Sequence, residues 1–200
     1  MKELENRYKI LSNSEEKGFL FVVSSPSGGG KSTILEEVLK QDLNLSYSIS
    51  FTTRKQRDYE ENGKHYFFVS ESEFEEMIVQ NEFLEWEKVH GNFYGTSRKK
   101  IEAQLEQGKN IVLDLDVLGA LKLKEKNPRT VLIFITVSSL EILEARLRNR
   151  KSETEETIQV RLERAAKEMA FTEKYDHVIE NLEIEKSVNE FKEIINQYLN

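Results

Sequence analysis

Four short runs of mainly apolar residues mark the chain, and longer polar segments separate them. The runs cover residues 19–23, 111–113, 131–135 and 177–179. Apolar residues in these runs do not alternate with polar ones, so the pattern predicts strands that are buried on both faces, as in a parallel sheet.

Helical patterns fill the segments between the runs. Residues 138–141 have the form of a capping box and predict a helix through Arg150, and residues 152–155 predict the start of a second helix. Strands that alternate with helices are typical of βαβ units, so we expect an α/β fold with a mostly parallel sheet. The apolar face of the second helix is formed by Ile158, Leu162, Ala165 and Met169.

Residues 47–97 have a different pattern. Apolar and polar residues alternate, aromatic residues are frequent, and turn signals occur at 61–64 and 90–92. This segment predicts short antiparallel strands with one helix near 71–80, inserted into the α/β core. Residues 1–17 are polar and of mixed charge, and they predict a loose arm or a short leading helix.

Composition narrows the class of protein. The 200 residues include 29 basic and 36 acidic side chains, and the net charge of −7 argues against a general nucleic-acid binder, whose surface is usually basic. No apolar run approaches the ~20 residues of a membrane helix, and the N-terminus has no apolar signal segment. The absence of cysteine excludes disulfides and zinc–thiolate sites. We expect a soluble cytoplasmic protein without membrane or nucleic-acid partners.

A glycine-rich segment follows the first predicted strand and opens a helix. Gly30, Lys31 and Ser32 match the end of the phosphate-loop pattern G-x-x-x-x-G-K-S/T, whereas Ser25 occupies the place of its first glycine. In such a loop backbone N–H groups surround phosphate oxygens, the lysine bridges the β- and γ-phosphates, and the hydroxyl is a ligand of Mg²⁺. The alternative is a flexible turn. The predicted ATP-binding loop consists of Ser25, Pro26, Ser27, Gly28, Gly29, Gly30, Lys31, Ser32 and Thr33.

Other charged residues suggest what the loop acts on. Asp114 ends a predicted buried strand, where an aspartate can hold magnesium, although a helix N-cap is the alternative. Arginines cluster at 54–57, at 146–151 and at 161–164. Because a guanidinium binds phosphate oxygens bidentately, one set could hold an acceptor monophosphate and another could neutralise the transferred group. The alternative is a solvated helix face, which we expect for Arg148 and Arg164.

Several further motifs occur along the chain, and they are Ser50–Arg54, Arg57, Asn62–Val69, Phe83–Trp86, Gly91–Thr96 and Asp114–Asp116. Together they resemble those of guanylate kinase, from about residue 18 to residue 196. The resemblance implies a phosphate-loop α/β protein with a three-layer αβα core, an inserted mixed α/β GMP-binding lobe and a helical lid. It implies an N-terminal extension at 1–17, a core at 18–46, 98–137 and 165–200, a GMP-binding lobe at 47–97 and a lid at 138–164.

The same resemblance assigns roles to individual residues. Lys31, Arg54, Arg146, Arg150 and Arg161 correspond to catalytic positions. Asn181 falls near the position that contacts the adenine of ATP, and Ser32 and Asp114 correspond to the magnesium site. The GMP-binding positions are Ser50, Arg54, Arg57, Tyr66, Glu85, Tyr94, Thr96 and Asp116.

Glu85 has a chemical reason to recognise guanine. Guanine presents N1–H and N2–H₂ as adjacent donors that one carboxylate accepts together, and adenine lacks that pair. The alternative is a surface glutamate, which the apolar neighbours Phe83, Leu84 and Trp86 disfavour. The chain departs from the family pattern at Gln56, Leu118, Lys151 and Leu182, and none of these positions removes a charged catalytic group.

The resemblance therefore implies an ATP:GMP phosphotransferase of purine nucleotide metabolism that forms GDP and ADP, uses Mg²⁺ and accepts dGMP as well. A first alternative is a guanylate kinase-like module that has lost catalysis and binds phosphopeptides. A second is a nucleoside monophosphate kinase for another base, which Glu85 and Ser50 argue against. Both a monomer and a homodimer are compatible with the sequence.

Overall fold

The computed structural model describes residues 18–41, 43–89, 91–149 and 154–199. Within them the structure has nine strands and seven α-helices, and the α/β class with a mostly parallel sheet is confirmed. The strands are β1 (Leu20–Ser24), β2 (Leu45–Tyr47), β3 (Phe51–Thr52), β4 (Phe67–Phe68), β5 (Phe83–Val89), β6 (Asn92–Ser97), β7 (Asn110–Asp114), β8 (Val131–Thr136) and β9 (His177–Glu180). The helices are α1 (Lys31–Leu39), α2 (Glu71–Val79), α3 (Arg98–Glu106), α4 (Val117–Lys126), α5 (Leu140–Asn149), α6 (Glu155–Met169) and α7 (Ile184–Leu199).

The larger sheet has five strands in the order β2, β7, β1, β8, β9. The pairs β2–β7, β1–β8 and β8–β9 are parallel. Strands β1, β7 and β8 are buried along nearly their whole length, as their uninterrupted apolar runs predict. The prediction was wrong for β9, which lies at the sheet edge and leaves Val178 40% exposed.

The smaller sheet has the order β4, β3, β6, β5. Strand β6 pairs antiparallel with β3 and β5, whereas β3 and β4 are parallel, so the prediction of purely antiparallel strands was wrong in one pair. Gly63 and Gly91 have φ of +80° and +81°, which explains the turn signals at 61–64 and 90–92. Helix α2 lies within the predicted 71–80 and begins with a capping box between Ser70 and Glu73.

The predicted starts of α5 and α6 need correction. Helix α5 begins at Leu140, and its cap is Ser139, whose Oγ accepts a hydrogen bond from the Ile142 N–H at 3.4 Å. Helix α6 begins at Glu155 and is capped by the Thr154 hydroxyl. The motif at 138–141 therefore predicts the start of α5 one residue too early, because Ser139 and not Ser138 is the capping residue. Ser152 and Glu153 lie outside the described residues.

The chain forms two compact units. The first includes residues 45–113 and 121–130 and therefore the whole predicted GMP-binding lobe, and its aromatic core contains Phe74, Phe83 and Phe93. The second includes residues 21–44, 114–120 and 131–200. In the second unit α5 and α6 share a core of Val137, Leu143, Leu147, Ile158 and Ala165.

These units divide the chain differently from the predicted core, lobe and lid, and that three-part division stays a prediction. The predicted N-terminal extension at 1–17 lies outside the described residues. Among the described residues, no helix combines the length and the apolar character that a membrane span needs.

Candidate functional site

The phosphate loop lies in the second unit, between the end of β1 and the start of α1. Gly28 and Gly30 have φ of +94° and +95°, a left-handed conformation that side chains disfavour. Between them Gly29 packs closely, since a Cβ there would lie 2.1 Å from the Ser25 Oγ and 3.1 Å from the Pro26 carbonyl oxygen. Gly28 and Gly30 therefore suit the turn of the loop, and the loop ends at the positive N-terminus of α1.

Lys31 and Asp114 form an ion pair next to this loop. Lys31 begins α1 and Asp114 ends β7, and their side chains are 19% and 31% exposed. The alternative role of Asp114 as a helix cap is not what the structure shows: the residue that caps α4 is Asp116, whose Oδ1 accepts a hydrogen bond from the Gly119 N–H at 2.9 Å. Asp114 is thus placed beside the phosphate loop, with the charge that a metal site would need.

Two of the predicted catalytic arginines contact the loop or its immediate support. The Arg161 Nη1 donates to the Ser27 Oγ at 3.0 Å, and the Arg146 Nη2 donates to the Asn181 carbonyl oxygen at 2.7 Å. Arg148 instead forms exposed ion pairs with Glu144 and Glu155, as its surface interpretation predicts. Arg150 and Lys151 lie outside the described residues.

Arg54 lies in the first unit, in a cage of aromatic rings and one buried carboxylate. Its Nη2 and Nη1 donate to the two oxygens of Glu60 at 2.7 and 3.1 Å. The Glu60 side chain is 5% exposed, and it raises the pKa of Arg54, while the Arg54 guanidinium lowers the pKa of Glu60. The guanidinium also lies 5.4 Å from the ring centre of Tyr66 and 5.7 Å from that of Phe68.

Three more of the predicted phosphate ligands lie in this unit. The ring centres of Tyr66 and Tyr94 are 6.0 Å apart in an edge-to-face arrangement. Arg57 is exposed, and its Nη1 donates to the Tyr59 hydroxyl at 2.8 Å. Its backbone N–H donates to the Glu60 Oε2 at 2.8 Å. One carboxylate therefore fixes both the side chain of Arg54 and the backbone of Arg57.

Glu85 is the residue predicted to recognise guanine. Its Oε1 accepts a hydrogen bond from the Thr96 hydroxyl at 2.6 Å, so the structure brings these two predicted GMP ligands together. Strand β5 has an irregular register between Phe83 and Glu85, a feature that commonly reorients a side chain. Glu85 also lines a cavity of about 210 Å³ together with Trp86, Arg98 and Lys122.

Ser50 and Asp116 are the remaining predicted GMP ligands, and each already has a hydrogen bond within its own unit. The Ser50 carbonyl oxygen accepts a hydrogen bond from the Phe67 N–H at 2.9 Å. Asp116 belongs to the second unit and caps α4 as described above. Both side chains are partly exposed. Their predicted contacts with guanine stay predictions.

Comparison with known proteins assigns the family. The family model described as guanylate kinase matches residues 17–198. The chain belongs to the guanylate kinase family. Guanylate kinase from Carboxydothermus hydrogenoformans is 44% identical over 90% of this chain and 88% of its own length, and that from Thermotoga maritima is 45% identical over 86% and 83%.

A solved structure agrees with this assignment. The crystal structure of guanylate kinase from Anaplasma phagocytophilum is 35% identical to this chain, with a TM-score of 0.76, and the match covers 91% of this chain and 86% of that one. The resemblance to the guanylate kinase family that the motifs indicate is therefore confirmed.

Sequence reasoning missed one residue of the site in this guanylate kinase family member. Glu60 is one of two consecutive glutamates, and nothing in their pattern distinguishes it from Glu61, which forms an exposed ion pair with Lys64. Arg54 and Arg57 precede Glu60 by a few residues, and buried carboxylates are usually paired with a cation. The two arginines therefore indicated that a carboxylate near them would be buried. Only the contact with Arg54 shows which of the two glutamates is buried.

Proposed function

We propose that this chain transfers the γ-phosphoryl group of ATP to GMP and releases ADP and GDP. The observation that carries the proposal is the phosphate loop of the second unit, where Lys31 faces Asp114 and where Arg161 reaches Ser27. A phosphate oxygen of GMP attacks the γ-phosphorus of ATP, and the bond from that phosphorus to the departing ADP oxygen breaks. Positive charge and positioning supply most of the catalysis in such a transfer, and no side chain has to act as a nucleophile.

The acceptor contacts follow from the first unit. Arg54 and Arg57 provide the cations, and Tyr66 and Tyr94 the hydroxyl donors, that a phosphate dianion requires. Glu85, held by Thr96, accepts the two donors of guanine, and Ser50 belongs to the same unit. The guanine contact of Asp116, which belongs to the second unit, stays a prediction. The proposal extends to dGMP, because none of these contacts is assigned to the ribose 2′-hydroxyl.

Magnesium fits the residues at the loop. Ser32 and Asp114 offer hydroxyl and carboxylate oxygens, the ligand types that Mg²⁺ prefers, and Ser32 is exposed at the first turn of α1. The described part of the chain contains no group of three or more acidic or histidine side chains that could hold a metal alone. This agrees with an ion held by one or two protein ligands and by substrate phosphates, where it would neutralise charge on the transferred group.

The contacts of the phosphate loop also bear on the alternative without catalysis. A phosphopeptide-binding module without catalysis would not need an ion pair of Lys31 with Asp114 or arginines on the loop, so these contacts favour the enzyme. The proposed compartment is the cytoplasm, where ATP and GMP are both available.

A coupled assay of ADP formation tests the proposal. We expect turnover with GMP and with dGMP as acceptors of the ATP phosphoryl group, and little with AMP, CMP or UMP. The Lys31→Ala variant is the control for contaminating kinases, since it removes the phosphate-facing cation and should be inactive. Equal rates with all five acceptors, or no GMP-dependent rate, would overturn the proposal.

A further inference from the structure

Asn181 follows β9, and its side chain is buried against the phosphate loop. The predicted contact with adenine would require a side chain that is accessible to the base. We propose that Asn181 is a positioning residue that fixes the Gly29–Gly30 peptide of the phosphate loop, and that it acts on the phosphates of any nucleoside triphosphate instead of recognising the base. The turnover measurements below rest on the proposed function, whereas the binding measurements do not.

Every polar atom of Asn181 is already bonded within the second unit. The Nδ2 donates to the Gly29 carbonyl oxygen at 2.8 Å, and the Oδ1 accepts from the Ser187 hydroxyl at 3.2 Å. The backbone N–H donates to the Thr136 carbonyl oxygen at 2.8 Å, and the backbone carbonyl accepts from the Arg146 Nη2 at 2.7 Å. Asn181 thus connects the phosphate loop with β8, α5 and α7.

Burial separates this side chain from a base-binding surface. Asn181 is 3% exposed and its partner Ser187 is 1% exposed. A Cβ built on Gly30 would lie 2.1 Å from the Asn181 Nδ2, so the amide fills the space behind the loop. A side chain in this position contacts the loop and has little surface left for an adenine ring.

The bond to Gly29 has a direct consequence for phosphate binding. In a planar trans peptide the carbonyl oxygen and the following N–H point in opposite directions. When Asn181 holds the Gly29 oxygen, the Gly30 N–H must therefore point away from Asn181. Donors of this kind surround phosphate oxygens in a phosphate loop, so the asparagine amide sets the orientation of one of them.

The second contact of Asn181 involves an arginine. Its backbone carbonyl accepts from Arg146, and the Arg146 Nη1 lies 4.0 Å from the Cβ position of Gly30. The same residue thus fixes a loop peptide through its side chain and a guanidinium through its backbone. Substitution of the side chain removes the first contact and leaves the second.

The test uses two variants and a matched control in the full chain. Asn181→Ala removes the amide, and Asn181→Asp keeps its shape but replaces the donor that faces the Gly29 oxygen. Leu182→Ala is the control, because Leu182 is the next residue along the chain and is 59% exposed. Calorimetry measures the dissociation constants of ATP, GTP, CTP and GMP for each protein, and the coupled assay measures kcat and KM for the same triphosphates.

We expect both Asn181 variants to bind all three triphosphates roughly ten- to a hundredfold more weakly, because an orienting hydrogen bond to the loop is lost. The ratio of the ATP constant to the GTP constant should stay at its native value, and the dissociation constant of GMP and the properties of Leu182→Ala should not change. Asn181→Asp distinguishes positioning from cavity formation, since it leaves the packing volume intact.

Three results would overturn the inference. A loss confined to ATP would show that Asn181 recognises adenine. Native affinity for all triphosphates would show that the amide has no role in the loop. An equal loss of GMP affinity would show a general structural role. If the native chain has no GMP-dependent turnover, the proposed function fails, while triphosphate binding still decides the role of Asn181.

Discussion

The buried ion pair between Arg54 and Glu60 gives a sharp test of how the acceptor site is built. Glu60→Gln keeps the size of the side chain and replaces one carboxylate oxygen with an NH₂ group. Both oxygens are in use, since Oε1 accepts from Arg54 and Oε2 accepts from Arg54 and from the Arg57 N–H. Whichever way the new amide turns, at least one donor will face another donor.

The magnitude follows from the burial of the pair. The side chains of Arg54 and Glu60 are 17% and 5% exposed, so solvent screens them little. A hydrogen bond to a charged group contributes ~1.5–3 kcal/mol, and we expect a destabilisation of about 2–3 kcal/mol. For a protein of this size the melting temperature should fall by roughly 4–12 °C. The KM for GMP should rise about tenfold, because the guanidinium loses the group that orients it.

Glu61→Gln is the matched control, since Glu61 is the adjacent residue and its ion pair with Lys64 is exposed. We expect its free energy of unfolding to stay within ~0.5 kcal/mol of the native value. Thermal unfolding followed by circular dichroism, together with the coupled assay, measures both effects. Equal melting temperatures and equal KM values for the two variants would refute the role of Glu60.

The stabilisation that the Arg54–Glu60 pair provides depends on pH. Arg54 lowers the pKa of the folded Glu60 carboxyl below its ordinary value of about 4.3. The stabilisation is therefore complete above the unfolded pKa and is lost as the pH falls through the folded pKa. The difference in unfolding free energy between the native chain and Glu60→Gln should be constant from about pH 7 to pH 5 and should shrink at lower pH.

Three other variants test separate parts of the structure. Lys31→Ala should abolish turnover and leave the far-ultraviolet circular dichroism unchanged, because Lys31 is partly exposed and its ammonium group pairs with Asp114 next to the loop; near-native activity would refute its role. Glu85→Gln should lower kcat/KM for GMP roughly ten- to several-hundredfold and that for AMP far less, since only guanine uses both carboxylate oxygens; an unchanged kcat/KM for GMP would show that Glu85 does not bind the base. Ser70→Ala should lower the melting temperature by about 2–4 °C by removing the cap of α2, as measured by calorimetry, and an unchanged transition would contradict that.

Much of the fold could be predicted because its core strands are fully apolar. Strands β1, β7 and β8 each appear as an uninterrupted run of apolar residues, which occurs where both faces of a sheet are covered. Strand β9 has a shorter run, His177 to Ile179, and it lies at the sheet edge. Edge position depends on chain topology, which no local pattern encodes. Strands β3 and β4 are two residues long, too short for a recognisable period.

The site was predictable where its residues follow fixed local spacing. The phosphate loop has such a spacing, and the structure places Gly30 and Lys31 where the loop meets α1, as the pattern requires. Glu60 and Asn181 belong to no motif of fixed local spacing. Glu60 matters because it is buried against Arg54, and Asn181 matters because it is buried against Gly29, which is far away in the sequence. Burial of a polar side chain is a property of the folded chain, and sequence alone indicates it poorly.

The destination of the γ-phosphoryl group tests the central proposal most directly. The native chain is incubated with ATP labelled at the γ-phosphorus, with magnesium and with GMP, and the products are separated by chromatography. If the chain is a phosphotransferase for GMP, the label appears in GDP in proportion to the ADP formed, and the Lys31→Ala variant yields none. Label that appears in inorganic phosphate, or that stays in ATP although GMP is bound, would contradict the proposal.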